Sequence, residues 1–202
     1  MQNEKQIVLF LEKNTEFSEI KIASEIFEKY PVLNSPITIP YESDKPNNPL
    51  IIFNKGLMQV TMNRNDLSFI FKGDDAKECM DIIEGIMDLL DDNRIEFIRI
   101  GYVSSYIHTK KEKTSFIKNL LKDQKVIGSE FNLAWYKEEL IDSVKVNVWE
   151  RHLTDTINNV EFLTIMDINT PMDKELNITS EFTIDFIKNC DKFIKKTLDE
   201  RF

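Results

Sequence analysis

The chain has 202 residues, of which 42% are apolar and 30% are charged, so it can bury the core of one large domain or of two small lobes. Its 35 acidic and 26 basic side chains leave a formal net charge of −9, which disfavours direct binding to nucleic-acid phosphates. No stretch is long and apolar enough to span a bilayer and no signal peptide is evident, so we expect a cytoplasmic protein that does not contact membranes.

The first 50 residues predict a strand, a helix and a loop. An apolar run at residues 7–11 is typical of a strand. Apolar residues recur at helical spacing from 17 to 30, and Pro31 ends that helix because the residue before a proline leaves the helical region. Four prolines in residues 36–49 predict a loop that frames a short strand at 37–39.

The next segment predicts a hairpin followed by a helix. Residues 58–62 and 67–71 alternate between apolar and polar, and an Asn- and Asp-rich turn joins them. Asp74 is a good N-cap for an amphipathic helix that ends near Asn93. A long strand at residues 94–109 is apolar on both faces, which indicates a central strand, and Gly101 within it predicts a bulge or a close backbone approach.

The remaining chain repeats the order of strands and then a helix. A short helix at 114–122 precedes strands at 131–135, 144–148 and 160–168, and a long helix begins at 179 or 180. Hairpins mean antiparallel pairing, so the fold class is α+β: an antiparallel sheet built from two strand-meander-plus-helix halves, with helices packed on the sheet. We expect one domain over 1–202, with lobes 1–109 and 110–202 as the alternative division.

Catalytic residues are not evident. No nucleophile stands beside a base, and no metal-ligand cluster or phosphate loop is recognisable, so we assign no catalytic, cofactor-binding or metal residue and expect no cofactor. His108 and His152 are the two histidines, and a pair cannot form a structural zinc site without further ligands. Ser104 and Ser105 precede His108 without a nucleophile motif, so we interpret these residues as chance neighbours.

The acidic face of the first long helix is the candidate partner-binding site. Its residues share one side of the helix or flank it: Asp81, Glu84, Asp88, Asp91 and Asp92. Like charges at these spacings destabilise a helix, and the last three lie near the negative end of the helix dipole. A locally costly choice is typical of a functional surface. The alternative interpretation is a solvated face that only keeps the protein in solution.

Other features have simpler interpretations. Glu138, Glu139 and Asp142 predict a second acidic tip, in the turn before Val144. Three aromatic residues on facing strands, Trp135, Tyr136 and Trp149, either pack in the core or anchor a partner. Cys79 and Cys190 lie among apolar helix positions and are expected to be buried thiols without a disulfide. Arg99, between two isoleucines of the central strand, requires a carboxylate or carbonyl partner if it is half-buried.

Residues 95–102 follow an acidic amphipathic helix and precede Tyr106 and Ile107. This run resembles a recurring strand in a sporadically distributed family of uncharacterised bacterial proteins. The strand at 7–11, the hairpin at 57–71 and the Phe-rich closing helix are similar in order, so the resemblance covers most of the chain. It implies no known activity, catalytic residue or cofactor, and the patchy distribution implies a phage, defence or mobile-element locus.

Together these observations predict a non-enzymatic protein-interaction protein, with a protein partner and with homo-oligomerisation left open. The first alternative is a metal-dependent enzyme that uses the carboxylates of residues 81–92, since clustered carboxylates suit a hard divalent cation. The second alternative is an acidic decoy that inhibits a nucleic-acid-binding partner.

Overall fold

The computed structural model of the chain describes residues 4–12, 17–39, 50–72, 76–121, 132–155, 160–173 and 175–202. The strands in these ranges are β1 (Glu4–Leu11), β2 (Ile37–Ile39), β3 (Leu50–Lys55), β4 (Met58–Met62), β5 (Asp66–Lys72), β6 (Phe97–Ile107), β7 (Asn132–Ile141), β8 (Val144–Asp155) and β9 (Val160–Asn169). The helices in the same ranges are α1 (Glu19–Lys29), α2 (Ala76–Asp92), α3 (Lys110–Leu121) and α4 (Ser180–Arg201).

These strands form one antiparallel sheet in the order β2-β3-β4-β5-β1-β6-β9-β8-β7. The predicted α+β class, with helices packed on an antiparallel sheet, is confirmed. The strands of residues 1–109 and those of residues 110–202 belong to the same sheet, because β6 pairs with β9 from Gly101↔Asn169 to Ile107↔Leu163. No helix in the described part of the chain is both long enough and apolar enough to cross a membrane.

Several predicted boundaries differ from the structure because caps and turns extend elements. The helix predicted near residue 114 begins at Lys110, since Thr109 and Glu112 form a capping box in which each side chain accepts a backbone N–H of the other. The strand predicted from Arg94 begins at Phe97, because Arg94 adopts a left-handed conformation (φ 56°) that closes the C-terminal end of α2.

The predicted acidic tip before Val144 is wrong for two of its three residues. Glu138 and Glu139 lie in β7, which continues to Ile141. The turn consists of Asp142 and Ser143 alone, both with positive φ (49° and 69°), as a two-residue hairpin of the primed type requires.

The predicted bulge at Gly101 is also absent, since its pairing with Val8 and Asn169 is regular, and the register shift lies between Phe10 and Leu11.

Some predictions fall outside the described residues: Asp74 as an N-cap, the loop residues 40–49, and the end of the third helix beyond residue 121. The helix start predicted at residue 179 or 180 is confirmed, because α4 begins at Ser180 and the Thr179 hydroxyl caps it by accepting the backbone N–H of Phe182. Cys190 is buried as expected, whereas Cys79 is half-buried.

The helices pack on one face of the sheet, which we call the helical face. Strand residues at alternating positions turn toward it, and many are fully buried, as are Ile7 and Phe69. Polar side chains connect the two layers as well. Asp191 of α4 accepts hydrogen bonds from the Tyr102 hydroxyl at 2.5 Å and from the Lys5 ammonium at 2.7 Å. The core therefore lies between one face of the sheet and the helices.

Close helix packing on this layer depends on one glycine. A Cβ atom on Gly85 of α2 would lie 1.5 Å from the hydroxyl oxygen of Tyr30, the C-cap of α1. The missing side chain therefore lets the Tyr30 ring rest against α2. Lys29 adds a hydrogen bond from its ammonium to the Gly85 carbonyl oxygen at 3.3 Å.

Candidate functional site

Three regions of the structure carry functional candidates: the acidic face of α2, a buried cluster of polar side chains under α4, and the face of the sheet opposite the helices. The acidic face is exposed at all five predicted positions, Asp81, Glu84, Asp88, Asp91 and Asp92. The assignment of a partner to this face stays a prediction. In the described ranges, no group of three or more His, Cys, Asp or Glu side chains is arranged to hold a metal ion.

Asp91 has a structural role that the sequence did not indicate. Its carboxylate accepts the backbone N–H of Ser180 at 3.1 Å, and the Ser180 hydroxyl donates to the carbonyl oxygen of Glu84 at 3.1 Å. The acidic C-terminal end of α2 thus meets the positive N-terminal end of α4, which compensates a charge that is unfavourable when α2 is considered alone. Partial burial still raises the pKa of the Asp91 carboxyl, and the carboxylates of Asp88 and Asp92 act in the same direction.

One threonine hydroxyl links the two histidines. Thr164 of β9 lies between them, with its Oγ1 2.8 Å from His108 Nε2 and 2.8 Å from His152 Nδ1. His152 Nε2 lies 2.8 Å from Glu150 Oε1, and Arg201 of α4 donates to both oxygens of Glu150 at 3.1 and 3.2 Å. We call this set of five residues the histidine cluster. His152 lies within β8, beyond the end predicted for that strand at residue 148.

One assignment of protons satisfies every contact in the histidine cluster. His152 Nε2–H donates to the Glu150 carboxylate, the Thr164 hydroxyl donates to His152 Nδ1, and His108 Nε2–H donates to the Thr164 oxygen. Glu150, Thr164 and His152 are almost completely buried, with at most 2% of their surface exposed. Burial lowers the pKa of His108 to about 4, partly offset by the carboxylate of Glu112.

Aromatic rings enclose the histidine cluster. Phe202 stacks on His108 with ring centroids 4.0 Å apart, and Phe116 of α3 lies 4.4 Å from the His152 ring. The Arg201 guanidinium lies 5.4 Å from the centre of the Trp135 ring. The acid–histidine–hydroxyl order resembles a nucleophilic triad in its contacts. The Thr164 hydroxyl, however, is completely buried. We therefore interpret the histidine cluster as a structural network, which fixes the C-terminal end of α4 through Arg201.

The face opposite the helices carries no helix in the described structure, and we call it the open face. Apolar residues of its central strands, among them Val8, Val103 and Ile165, are only half-buried. The predicted group of three aromatic residues is divided between the two faces of the sheet. Trp135 lies against the helices, whereas Tyr136 and Trp149 pair on the open face, each 49% exposed.

The rings of Tyr136 and Trp149 have centroids 4.8 Å apart at an angle of 50°. The Tyr136 hydroxyl donates to the side-chain oxygen of Asn147 at 2.9 Å. A second aromatic site lies toward the centre of the sheet, where the Arg99 guanidinium is 5.2 Å from the centre of the Phe10 ring. Arg99 donates to Asn169 at 2.5 Å, so it has an amide oxygen as its partner.

Opposite charges on the open face are balanced. The strand registers place eight described charged side chains on it, four basic and four acidic: Lys72, Arg99, Lys145, Arg151, Glu4, Asp66, Glu138 and Asp167. The two lysines form ion pairs, Lys72 with Glu4 at 3.0 Å and Lys145 with Glu138 at 2.9 Å. The two arginines instead contact amides, since Arg151 donates to Asn132 at 3.1 Å.

Comparison with known proteins identifies no family for this chain. No protein-family model matches the chain, and no curated protein matches it. Among solved structures, it is similar to a rolling circle replication initiator protein from Geobacillus stearothermophilus, with a TM-score of 0.36 and 10% sequence identity over 86% of this chain and 74% of that one. A likeness at this level does not assign a function.

The function predicted from the sequence is nevertheless corrected. That similar structure is of a replication initiator and lends the predicted non-enzymatic interaction function no support. We therefore withdraw that prediction, together with its metal-enzyme and acidic-decoy alternatives. A function for this chain has to be inferred from its own side chains.

Proposed function

We propose that the protein binds nucleic acid on the open face of its sheet. The observation that supports this most directly is the distribution of charge. The whole chain has 35 acidic against 26 basic side chains, whereas the described charges of the open face are balanced. Repulsion of phosphate acts through the local potential, so a face with balanced charges opposes a phosphate backbone less than the net charge of the chain implies.

The chemistry of the open face supplies the contacts that nucleic acids use. Arg99 and Arg151 contact amides and have no ion pair with a described carboxylate, so both remain available to phosphates. The exposed rings of Tyr136 and Trp149 offer surfaces on which bases stack. Amide side chains such as Asn147 can hydrogen-bond base edges. This proposal replaces the expectation from net charge that nucleic acid does not bind.

Fluorescence anisotropy of labelled oligonucleotides, at low salt, tests the proposal. The open-face variant Arg99→Gln/Arg151→Gln should weaken binding. The matched control Lys188→Gln/Lys196→Gln removes the same charge from the exposed surface of α4 and should leave binding unchanged. Thermal melting of each variant shows that it is folded.

Two results would overturn the proposal. One is the absence of binding to any oligonucleotide at low salt, and the other is an equal loss of binding in both double variants. The competing occupant of the open face is a second copy of the chain, and a standard interface buries about 800 Å² on each partner. Light scattering of the protein alone would show such a dimer, and a dimer abolished by Trp149→Ala would assign the face to a second copy instead.

A further inference from the structure

We infer that the nucleic acid bound on the open face is single-stranded, and that its bases stack at two separate sites. This inference rests on the proposed function and specifies its ligand. The Tyr136–Trp149 pair forms one site, which we call the outer site. The Arg99 guanidinium, which lies over the half-buried Phe10 ring, forms the other, because bases also stack on guanidinium planes, and we call it the inner site.

The few available cations exclude a duplex as the main ligand. Proteins that hold duplex DNA by its phosphates typically make about 6–10 such contacts. Four basic side chains are described on the open face, and two of these already form ion pairs with Glu4 and Glu138. Two arginines remain, which is too few for electrostatic binding of a duplex to a chain with net charge −9.

The exposed rings favour unpaired bases for a geometric reason. In a duplex each base is already stacked between its neighbours, so a ring that projects from a sheet cannot reach its face. An unpaired base can lie flat on such a ring, and each base stacked in this way is worth about 1–3 kcal/mol in binding. With little electrostatic attraction available, stacking must supply most of the affinity.

The strand registers separate the two sites. Phe10 lies opposite Arg99 in β6, and Trp149 lies opposite Asp167 in β9, which in turn lies opposite Val103. The sites are therefore roughly 14 Å apart across three strand spacings and roughly 13 Å apart along the strands. A single strand that reaches both sites must cross the open face diagonally, past the regular strand position of Gly101.

The amide residues lie beside this diagonal. Asn169 contacts Arg99 at the inner site, and Asn147 contacts Tyr136 at the outer site. The strand register places Asn147 directly opposite Asn169, so both amides lie between the inner site and the outer site. Asn169 is 6% exposed and its amide already bonds Arg99 and Asp167, so Asn147 is the amide that can contact a base edge, and we expect a weak sequence preference only.

The experiment compares ligands and salt concentrations. Labelled single-stranded DNA, single-stranded RNA and duplex DNA of equal length are titrated with the full chain. Single strands should bind more tightly than the duplex. With two phosphate contacts, the affinity for single-stranded DNA should fall roughly sevenfold between 0.1 and 0.4 M salt, from a slope of about 0.7 per contact. The DNA and RNA titrations show which sugar is preferred.

Substitutions separate stacking from charge. Trp149→Ala should lower single-strand affinity roughly 5- to 150-fold, the range expected for one stacked base. Trp149→Leu, which keeps an apolar side chain without the ring, should be just as defective. Ile37→Ala is the matched control, since Ile37 is also exposed on the open face but lies in the edge strand β2, away from both sites.

The outcomes distinguish the inference from the function on which it rests. If no nucleic acid binds, the proposed function itself fails. If duplex binds as tightly as single strand, or if Trp149→Leu keeps full affinity, nucleic-acid binding stands and the stacking inference is overturned. A decrease of 10³-fold or more in affinity over the same salt range would also overturn it, because that needs many phosphate contacts.

Discussion

The helical face and the open face of the sheet come from the same strands and differ in nearly every property. On the helical face, apolar residues such as Leu9 and Val148 are completely buried, and the polar groups form networks. On the open face, alternate residues of these strands are half-exposed, and charges occur in balanced number. Because side chains alternate along a strand, one chain can thus hold a packed core and a ligand surface a few ångströms apart.

This difference shows that the net charge of the whole chain does not describe the local charge of each face. The acidic side chains that give the chain its charge of −9 include the exposed row on α2, which lies on the helix layer. The face without helices has no excess of acid among its described residues. The comparison predicts that substitutions on the helical face reduce stability, whereas those on the open face reduce ligand binding and leave the fold intact.

The largest effect on stability is expected for Phe186→Ala. Phe186 of α4 is 4% exposed and belongs to the core, and truncating such a residue typically costs about 3–5 kcal/mol. A domain of this kind has only about 5–15 kcal/mol of stability, so urea unfolding should shift strongly. Trp149→Ala on the open face is the control and should shift the midpoint little. Equal shifts in the two variants would contradict the division between the faces.

Glu150→Ala tests whether the histidine cluster holds α4 on the sheet. Removing this carboxylate leaves the buried His152 Nε2–H without its acceptor, which costs about 1–3 kcal/mol, and leaves Arg201, which is 41% exposed, without its ion pair. Denaturant unfolding measures the loss. Glu150→Gln keeps the shape and one acceptor, so it should lose less. If the alanine variant is as stable as the parent, the network is not a stabilising element.

Gly85→Ala tests the contact between the first two helices. The added Cβ atom collides with the Tyr30 hydroxyl, so α1 must move or the ring must rotate away, at an expected cost of about 1–3 kcal/mol. Thermal unfolding followed by circular dichroism provides the measurement. In the Tyr30→Ala background the same change should cost much less, because the colliding ring is gone. Additive costs would show that the ring does not limit the packing.

Phe186 and Gly85 illustrate how far the sequence could predict the fold. Helical spacing placed Phe186 in the core, since the apolar face of a helix repeats with a local period. Gly85 gave no signal, because its partner Tyr30 lies 55 positions earlier and only the packing of two helices brings them together. The sequence likewise predicted the class of the sheet through its hairpins, but not the strand order, which depends on pairings between distant segments such as β1 and β6.

The candidate sites were predicted less well for the same reason. The histidine cluster joins residues of β8, β9 and α4 to His108, which follows β6, so no local motif announces it, although Glu150 and His152 stand two apart on one face of a strand. Tyr136 and Trp149 were recognised as an aromatic group, but whether they were core or surface depended on which face the helices cover. The structural role of Asp91 could not be predicted either, because its partner, Ser180, lies 89 residues further along the chain and not within its own helix.

Acid should lower the stability of the fold through His108, which lies on the helical side of the sheet. Burial lowers its pKa from the ordinary 6.5 to about 4, so between these values the unfolded chain binds the extra proton. Stability should therefore be constant above pH 6.5 and decrease as the pH falls toward 4. Glu112 and His152 are the titratable groups that act on the ring, and the Glu150–Arg201 pair lies beyond His152. Below pH 4.5 the lowered pKa of Glu150 acts in the same direction.

Urea unfolding at pH 7.5, 5.5 and 4.5 measures this dependence. His108→Gln retains a polar side chain without the titrating ring, so its stability should vary less over the same range. If the variant and the parent lose stability in parallel, other groups cause the acid sensitivity.

The smallest effect is expected on the acidic face of α2, where the sequence predicted a partner site. Asp81, Glu84 and Asp88 are exposed and repel one another, and each like-charge pair in a helix costs about 0.2–0.5 kcal/mol. The triple change Asp81→Asn, Glu84→Gln and Asp88→Asn should therefore preserve or slightly raise the melting temperature at low salt, and the gain should vanish at high salt, where the charges are screened.

Asp91→Asn is the contrasting variant and should lower stability, because the carboxylate accepts the Ser180 N–H at the start of α4. A triple variant that melts earlier than the parent would mean that these three acids make stabilising contacts of their own. Opposite signs for the two variants would show that the acids of one helix divide between a solvated row and a contact that positions the next helix.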